Sequence, residues 1–164
     1  MMYDSLFLDR DGVINNKLEG RYVTDFNEFE FIKNSDTAIV SLSKIFKRIF
    51  IVTNQQGIGK GIMSENALHV LHDNMQKKIC SINSVITKIY FCPHLAEDLC
   101  KCRKPNIGML DQAKLDFPDI KINQSFLIGD SDSDIEAGDK FGLTTVKVDN
   151  TYTLDHWLKE IILS

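Results

Sequence analysis

The sequence predicts an α/β fold in which one open parallel sheet lies between two layers of helices. Three observations predict it: strand and helix patterns alternate along the chain, the strand segments are apolar on both faces, and 164 residues with 43% hydrophobic content suit one core. No composition shift marks a linker, and no internal repeat is visible. We therefore expect one domain over residues 1–164.

Five short apolar runs predict the strands of this sheet. They lie at residues 5–8, 49–52, 85–91, 125–128 and 144–148. Parallel neighbours need a long crossover connection, so a helix is expected between consecutive strands. Ligands of such sheets bind beyond the carboxyl ends of the strands, where the strand order reverses. Polar residues that follow these runs are therefore candidates for function.

Apolar residues at helical spacing predict the helices that connect the strands. One helix follows Ser35 and another follows Ser64, and both serines are predicted N-caps because their hydroxyls can accept hydrogen bonds from the first turn. Asp132 is the predicted cap of a later helix. The remaining helices are expected at about residues 107–115, 132–141 and 154–162.

Composition and charge argue against several kinds of partner. The net charge of −4 and the pI near 5.5 do not suit a surface for nucleic acid, which needs clustered Lys and Arg. No run approaches the ~20 apolar residues of a membrane span, and the N-terminus lacks the basic and apolar segments of a signal peptide. We expect a cytoplasmic monomer that binds neither nucleic acid nor membrane.

Carboxylates follow two of the predicted strands. Asp9 and Asp11 come directly after the first strand, and Asp130 and Asp134 follow the fourth. Carboxylates at neighbouring strand ends form a site for a hard cation such as Mg²⁺. Taken alone, the segment 9–12 is equally consistent with a polar turn, because Asp and Gly are common in turns. The residues at the other strand ends help to distinguish a metal site from a polar turn.

The other strand ends carry matching chemistry. Thr53 ends the second strand, and Lys104 follows the third. In chain order, Asp-x-Asp, a Thr after a strand, a Lys, and Gly-Asp with further acids resemble the four motifs of haloacid dehalogenase-like phosphatases. The resemblance spans residues 6–148 and implies the Rossmann-like α/β/α core of that superfamily. The spacing between motifs leaves no room for a separate cap domain.

The resemblance implies a role for each acidic residue. Asp9 would be the nucleophile that forms an aspartyl phosphate, and Asp11 would protonate the leaving alkoxide and then activate water. Mg²⁺ would be held by the carboxylates of Asp9 and Asp130 and by the main-chain carbonyl of Asp11. Asp134 would either bind the metal or support its ligands.

The resemblance also implies roles for three other residues. Thr53 and the backbone amide of Asn54 would donate hydrogen bonds to the transferred phosphoryl group, and Lys104 would neutralise its charge. In isolation, Thr53 would be a β-branched strand residue and Lys104 a solvated loop charge. Their order relative to Asp9 and Asp130 favours the functional interpretation.

A second group of residues predicts a metal-binding loop at about residues 92–102. Cys92, His94, Cys100 and Cys102 offer three thiolates and one imidazole, which is typical of a structural Zn²⁺ site with no open position. The alternative, three free thiols and a surface histidine, is disfavoured because reduced cysteines seldom cluster in polar loops. Zinc would order a loop that is too short to form its own core.

The remaining histidines lack acidic partners at metal-binding spacing. We expect His69, His72 and His156 at the surface. Cys80 lies in a helical pattern and is expected to be half-buried. These residues receive no functional assignment from the sequence.

Two subfamilies share the joint pattern of motifs: the D,D-heptose 1,7-bisphosphate phosphatases and the histidinol phosphatases. Segments 12–15 and 54–61 resemble the heptose enzymes. The short stretch between His94 and Cys100 resembles the histidinol enzymes instead. The heptose resemblance implies removal of the C7 phosphate from D-glycero-D-manno-heptose 1,7-bisphosphate, and histidinol phosphate is the alternative substrate.

The heptose resemblance also implies substrate contacts. Arg103 would bind the second phosphate through its planar pair of donors, although a loop charge paired with Glu97 or Asp98 is the alternative. Gln55 and Tyr22 would contact sugar hydroxyls, and Tyr22 lies in the polar stretch 15–30, a predicted flap over the site.

More distant alternatives are also considered. A DNA 3′-phosphatase of the same superfamily is disfavoured because no basic strip is apparent. A non-catalytic module, either a phosphoacceptor or a zinc-bearing interaction domain, is disfavoured because Asp11 and Lys104 are both intact. A small phosphorylated sugar is therefore the expected partner, with Mg²⁺ and structural Zn²⁺ as cofactors.

Overall fold

The computed structural model describes residues 2–163 and shows the predicted parallel sheet. Neighbouring strands are all parallel, and their order is β3-β2-β1-β4-β5. The strands are β1 (Tyr3–Leu8), β2 (Phe46–Asn54), β3 (Lys88–Cys92), β4 (Phe126–Gly129) and β5 (Thr144–Lys147). The order reverses beside β1, so the ligand crevice is expected between the carboxyl ends of β1 and β4. Residues 1 and 164 of the predicted domain lie outside the described part of the chain.

Helices cover both faces of the sheet, which confirms the predicted three-layer α/β architecture. Within residues 2–163 they are α1 (Ser35–Leu42), α2 (Glu65–Ile79), α3 (Gly108–Asp116), α4 (Asp132–Phe141) and α5 (Leu154–Leu163). Apolar residues of α1, α2 and α5 pack on one face, and those of α3 and α4 pack on the other. Short 3-10 helices lie at Phe26–Glu28, Ala96–Asp98 and Ile122–Gln124.

Strand β1 shows how one apolar run supplies both cores. Leu6 and Leu8 are fully buried in the core beneath α1, α2 and α5. Phe7 is equally buried in the core beneath α3 and α4, where its ring stacks on Phe50 with the centroids 5.0 Å apart. Successive strand residues face opposite sides of a sheet, so a run without polar alternation has to be covered on both sides.

Two predicted N-caps lie beside the residues that form the caps. The prediction for Ser35 is wrong, because Asn34 precedes α1 with a left-handed φ of 63°, which Asn tolerates better than most residues. Ser35 is instead the first helical residue, and its hydroxyl donates to the carbonyl of Ile14 (2.6 Å). The prediction for Asp132 is wrong by one residue, since Ser131 is the N-cap of α4.

The cap of α2 confirms the third prediction. Ser64 Oγ accepts a hydrogen bond from the backbone amide of Ala67 (3.0 Å). At the other end of α2, Cys80 is the C-cap and is half-buried, as expected for that residue. The predicted α2 therefore begins at the residue that the sequence indicates.

The flap, residues 15–30, crosses the carboxyl edge of the sheet. Its only regular element is the 3-10 helix at Phe26–Glu28, and an antiparallel bridge between Asn15 and Phe31 joins its two ends. No separate cap domain is evident among residues 2–163, so the flap is what lies over the crevice. Across the same residues, every helix is too short or too polar to cross a membrane.

Candidate active site

The carboxyl ends of β1 and β4 bring the predicted carboxylates together. Asp9 follows β1, and its amide donates to the carbonyl of Ile128 in β4 (3.0 Å). One carboxylate oxygen from each of Asp9, Asp130 and Asp134 lies within 4.8 Å of the others. Gly12, at φ 86°, permits this approach, because a β-carbon there would stand 2.2 Å from Asp130 Oδ2.

Lys104 is buried among these acids, unlike a solvated loop charge. Its ammonium donates to Asp9 Oδ1 (3.0 Å), to Asp134 Oδ1 (2.5 Å) and to the carbonyl of Val52 (2.7 Å). The side chain of Asn54 fixes the Lys104 backbone by accepting from its amide (3.0 Å) and donating to its carbonyl (3.2 Å). The end of β2 thereby places the ammonium against the carboxylate that follows β1.

Burial and neighbouring charges set the protonation of this group. Removal from water raises the pKa of Asp9 to about 7, an effect that Lys104 reduces and that Asp134 and Asp11 reinforce. Burial opposes the charge of Lys104, but Asp9 and Asp134 outweigh it and raise the pKa of Lys104 above its usual value. The second oxygen of Asp134 accepts from the backbone amide of Ser131 (3.1 Å), so both of its oxygens have protein partners.

Asp11 lies beside this cluster, and three side chains orient its carboxylate. Arg10 Nη2 donates to Oδ1 at 2.9 Å and to Oδ2 at 3.2 Å. Asn15 Nδ2 donates to Oδ1 at 2.9 Å, and Gln55 Nε2 donates to Oδ2 at 3.0 Å. Burial raises the pKa of Asp11, but the charge of Arg10 and these hydrogen bonds lower it by more. The pKa of Asp11 therefore lies below its usual value.

Gln55 connects Asp11 to Thr53. The Gln55 amide also donates to Thr53 Oγ1 (2.8 Å), and both residues are almost completely buried. Neither lies among the described residues that line the cavity over the acids. The side-chain amide of Gln55 therefore donates its hydrogen bonds to protein groups, Asp11 and Thr53. Its predicted sugar contact and the predicted phosphoryl contact of Thr53 stay predictions.

An open cavity of about 270 Å³ lies over the acidic cluster. The flap contributes Lys17, Arg21 and Tyr22 to its lining, so two cationic side chains approach the site from the flap. Lys17 forms an ion pair with Asp130, and Arg21 forms one with Glu28. The predicted substrate residues Tyr22 and Asn54 both line this cavity.

Arg103 is half-buried and lies outside the described cavity lining. Its Nη1 is buried and has no hydrogen-bond partner within residues 2–163. Over the same residues no ion pair joins it to Glu97 or Asp98, so the paired surface charge considered from the sequence is not seen. Its contact with a second phosphate stays a prediction.

The four predicted zinc ligands converge in one place. Cys102 Sγ lies 2.9 Å from Cys92 Sγ, 3.6 Å from Cys100 Sγ and 3.2 Å from His94 Nδ1, and all four ligand atoms lie within 4.8 Å of one another. The four thiols of the chain are free rather than joined in disulfides. Burial raises the pKa of Cys100, but hydrogen bonds from the Arg103 backbone and from its neighbours lower it to about 7. The donor set fits a tetrahedral thiolate-rich site.

Sequence analysis did not identify two residues that contact each other beside the site, Arg10 and His72. The prediction that His72 lies at the surface is wrong, because it is 3% exposed and its Nε2 faces Arg10 Nη1 at 3.1 Å. His72 follows Leu68 by four residues and precedes Met75 by three, and both are buried on α2, so helical periodicity was the available signal. Nothing in the sequence signalled the burial of Arg10, which comes after β1 has ended. His69 and His156 are exposed, as predicted.

Comparisons with known proteins show relatives of this chain among phosphatases. A family model described as polynucleotide kinase 3 phosphatase matches residues 5–156. The chain is 42% identical over 142 residues to a D-glycero-alpha-D-manno-heptose-1,7-bisphosphate 7-phosphatase from Campylobacter jejuni, covering 84% of this chain and 77% of that one. A D-glycero-beta-D-manno-heptose-1,7-bisphosphate 7-phosphatase from Haemophilus influenzae is 36% identical over 145 residues, covering 84% of this chain and 76% of that one.

A solved structure extends the similarity to nearly the whole chain. The D,D-heptose 1,7-bisphosphate phosphatase from B. bronchiseptica, crystallised with magnesium and phosphate, superposes with a TM-score of 0.88 at 26% identity. The match covers 98% of both chains. The fold of residues 2–163, in which no separate cap is evident, therefore belongs to a known architecture.

Proposed function

The chain belongs to the polynucleotide kinase 3 phosphatase family and is a phosphatase of the haloacid dehalogenase type, and we propose that it removes the C7 phosphate of D-glycero-D-manno-heptose 1,7-bisphosphate. The observation that carries the proposal is the convergence of Asp9, Lys104 and Asp11 under a cavity lined by two cations of the flap. A substrate with two phosphates suits that charge distribution. The relatives of 36–42% identity support the choice of sugar.

We assign the two carboxylates after β1 different tasks. A carboxylate oxygen of Asp9 attacks phosphorus, the phosphorus–oxygen ester bond breaks, and the departing alkoxide takes a proton from Asp11. Asp11 then accepts a proton from the water that attacks the aspartyl phosphate, so inorganic phosphate leaves and Asp9 is regenerated. Lys104, Thr53 and the Asn54 amide stabilise charge on the phosphoryl oxygens.

The hydrogen-bonding state of the carboxylate oxygens in the acidic cluster supports a Mg²⁺ site. Asp130 Oδ1 is buried without a hydrogen-bond partner among the described residues, and Lys17 places a cation against the same carboxylate. Asp134 has both oxygens occupied by protein donors, so Asp9, Asp130 and the Asp11 carbonyl are the better ligands. A bound Mg²⁺ would neutralise phosphate charge and favour the ionised form of Asp9.

The thiolate-rich loop is proposed as a structural Zn²⁺ site. A tetrahedral ion would take its four ligands from this loop, namely Cys92, His94, Cys100 and Cys102. The loop leads directly to Arg103 and Lys104, so its order bears on the site. Reduced thiolates suit the cytoplasm, which is the compartment we propose.

The substrate contacts are proposed from position and charge. Lys17 and Arg21 approach the cavity from the flap, and Arg103 would provide a third donor through a rearrangement that brings its buried, unpartnered Nη1 to the cavity. Tyr22 lines the cavity and is proposed to contact a sugar hydroxyl. Gln55 would reach the sugar only if its hydrogen bonds to Asp11 and Thr53 rearranged. We therefore propose that Gln55 also orients the carboxylate of Asp11.

The test is phosphate release with Mg²⁺ on a panel of substrates. The panel contains both anomers of D-glycero-D-manno-heptose 1,7-bisphosphate, the corresponding 7-monophosphate, histidinol phosphate and an oligonucleotide with a 3′-phosphate. We expect kcat/KM for one heptose bisphosphate anomer to exceed that for the other classes by at least ~100-fold, because specificity is the difference in transition-state binding. The 7-monophosphate serves as the matched control for recognition of the second phosphate.

Each alternative has a distinct result in this panel. A preference for histidinol phosphate would agree with the short stretch between His94 and Cys100 and would reassign the substrate while keeping the chemistry. A preference for the oligonucleotide would support the activity named in the family description. Equal activity on the bisphosphate and the 7-monophosphate would remove the proposed site for a second phosphate.

A further inference from the structure

Arg10 lies buried between Asp11 and a histidine that has no task in the proposed reaction. Its guanidinium is 1% exposed, with Nη2 directed at Asp11 and Nη1 lying 3.1 Å from His72 Nε2. His72 comes from α2, is 62 residues further along the chain and is 3% exposed. Two buried polar side chains from distant segments therefore satisfy each other beside the proposed proton donor.

The chemistry of the two groups sets the direction of this hydrogen bond. A guanidinium carries only N–H donors, so His72 Nε2 has to accept. The imidazole is therefore neutral, and its hydrogen is on Nδ1. A protonated ring would lose the accepting lone pair and place a second cation against Arg10 in a buried position. His72 consequently acts as a fixed acceptor for Nη1.

We propose that His72 is a positioning residue for Asp11 that acts through Arg10. The inference rests on the proposed role of Asp11 as proton donor and acceptor. By holding Nη1, His72 orients the plane of the guanidinium, whose Nε and Nη2 then meet Asp11 Oδ1 at 3.3 and 2.9 Å. Small displacements of a proton-transfer group lower the rate strongly, because the donor has to meet the leaving oxygen in the transition state.

A packing role for His72 makes a different prediction. His72 shares the buried face of α2 with Leu68 and Met75, so its replacement also disturbs the core. Loss of packing would lower activity on every substrate alike. Loss of Asp11 alignment lowers activity mainly where the leaving group needs a proton, as phenolate with a pKa of about 10 does. A nitrophenolate leaves without that help.

The experiment measures kcat/KM for phenyl phosphate and 4-nitrophenyl phosphate, since kcat/KM includes the step in which the leaving group departs. His72→Leu removes the acceptor, His72→Gln supplies a carbonyl acceptor, and His69→Leu on the exposed side of α2 is the matched control. We expect His72→Leu to lose about 10-fold or more on phenyl phosphate and less than ~3-fold on 4-nitrophenyl phosphate. His72→Gln should recover most of the loss, and His69→Leu should lose nothing.

Asp11→Asn separates the inference from the function on which it rests. One outcome is that Asp11→Asn shows the leaving-group dependence while His72→Leu lowers kcat/KM equally on the two substrates. In that case His72 only packs, and the inference is overturned. If Asp11→Asn shows no leaving-group dependence, the proton-donor role fails, and the inference fails with it. If His72→Leu is unstable, His72→Phe repeats the test, because phenylalanine keeps a ring at this position without a hydrogen-bond acceptor. A loss of kcat/KM mainly on phenyl phosphate supports the acceptor role, and equal losses on the two substrates oppose it.

Discussion

At the scale of single residues, burial sets the chemistry of the proposed site. Asp9 has to be ionised to attack phosphorus, yet removal from water raises its pKa to about 7. Lys104 opposes that shift through a hydrogen bond of 3.0 Å, and a cation on Asp9 and Asp130 would oppose it further. Positive charge beside Asp9 therefore favours the ionised form of the nucleophile.

Replacement of Asp9 tests the nucleophile directly. Asp9→Asn has nearly the same volume and leaves Lys104 its contacts with Asp134 and Val52, so we expect the fold to persist. Turnover should fall by at least ~1000-fold, because the amide does not attack phosphorus. Phosphate release and thermal unfolding followed by circular dichroism measure the two effects. Asp73→Asn on the exposed side of α2 is the control, and activity of Asp9→Asn within tenfold of wild type would refute the mechanism.

His72 predicts how stability depends on pH. Burial and the charge of Arg10 lower its pKa to about 3, whereas an unfolded histidine has a pKa of about 6.5. Between these values the unfolded chain binds more protons, so this contribution to the free energy of unfolding is complete above pH ~6.5 and is lost towards pH ~3 by up to ~1.4 kcal/mol per pH unit. The titratable and charged groups that act on the ring are Arg10, Asp11 and His69.

Urea unfolding at pH 6.5 and 4.5 measures this dependence. We expect His72→Gln to lose less stability than wild type between the two pH values, because glutamine does not titrate. The matched control His69→Gln replaces an exposed histidine and should keep the wild-type difference. Identical differences in wild type and His72→Gln would show that His72 is not held neutral by the fold.

At the scale of elements, the loop between β3 and α3 depends on its ligands. Its ends are attached to the rest of the protein, since Gly59 N donates to the carbonyl of Pro93 (2.9 Å) and Gly108 N donates to that of Lys101 (2.9 Å). Both glycines permit this approach, because a β-carbon would lie 2.7 Å from the first carbonyl oxygen and 2.5 Å from the second. The residues between those points, 93–101, are all exposed or half-buried, so a metal held by His94, Cys100 and the flanking Cys92 and Cys102 would supply the order.

Zinc content tests the loop. We expect about one Zn²⁺ per chain in wild type and much less in Cys102→Ser, which removes a ligand that contacts each of the other three. KM for the substrate should rise before kcat falls, because the loop carries Arg103 as well as Lys104. Elemental analysis and steady-state kinetics provide the measurements. Cys80→Ser, outside the loop, should keep the zinc content and the KM of wild type. Wild-type protein that has the same KM with and without zinc would contradict the assignment.

At the scale of the whole molecule, one sheet separates two cores. Trp157 of α5 lies in the core beneath α1, α2 and α5, and it is the single tryptophan of the chain. Leu110 of α3 lies in the other core and is 1% exposed. Because β1, β2 and β4 contribute side chains to both cores, loss of one should expose the other.

A mutation in one core and a probe in the other test this cooperativity. Leu110→Ala should lower the free energy of unfolding by about 2–5 kcal/mol through lost burial and a cavity. We expect the Trp157 fluorescence transition and the circular dichroism transition to shift together in urea, as in two-state unfolding of one domain. Leu115→Ala, at an exposed position of α3, is the control. A fluorescence transition that does not move would show that the two cores unfold independently and would oppose the single domain.

The sequence by itself determined the alternation of strands and helices, the sheet type and the positions of the acidic motifs. Continuous apolar runs such as 49–52 indicate strands buried on both faces, and residues after such runs have to gather at one edge. The clustering of Asp9, Asp130 and Lys104 was therefore predictable without coordinates. The ligand group at 92–102 was predictable for a similar reason, because its members are close in sequence.

Only the tertiary structure decided which polar side chains face one another. The Arg10–His72 contact joins residues 62 positions apart, and the Gln55 bridge to Asp11 joins residues 44 positions apart. Periodicity shows which face of a helix is buried, but the partner across that face depends on how the helix packs on the sheet. The caps at Asn34 and Ser131 likewise depended on local backbone geometry, which shifts a helix start by one residue without altering the pattern of apolar positions.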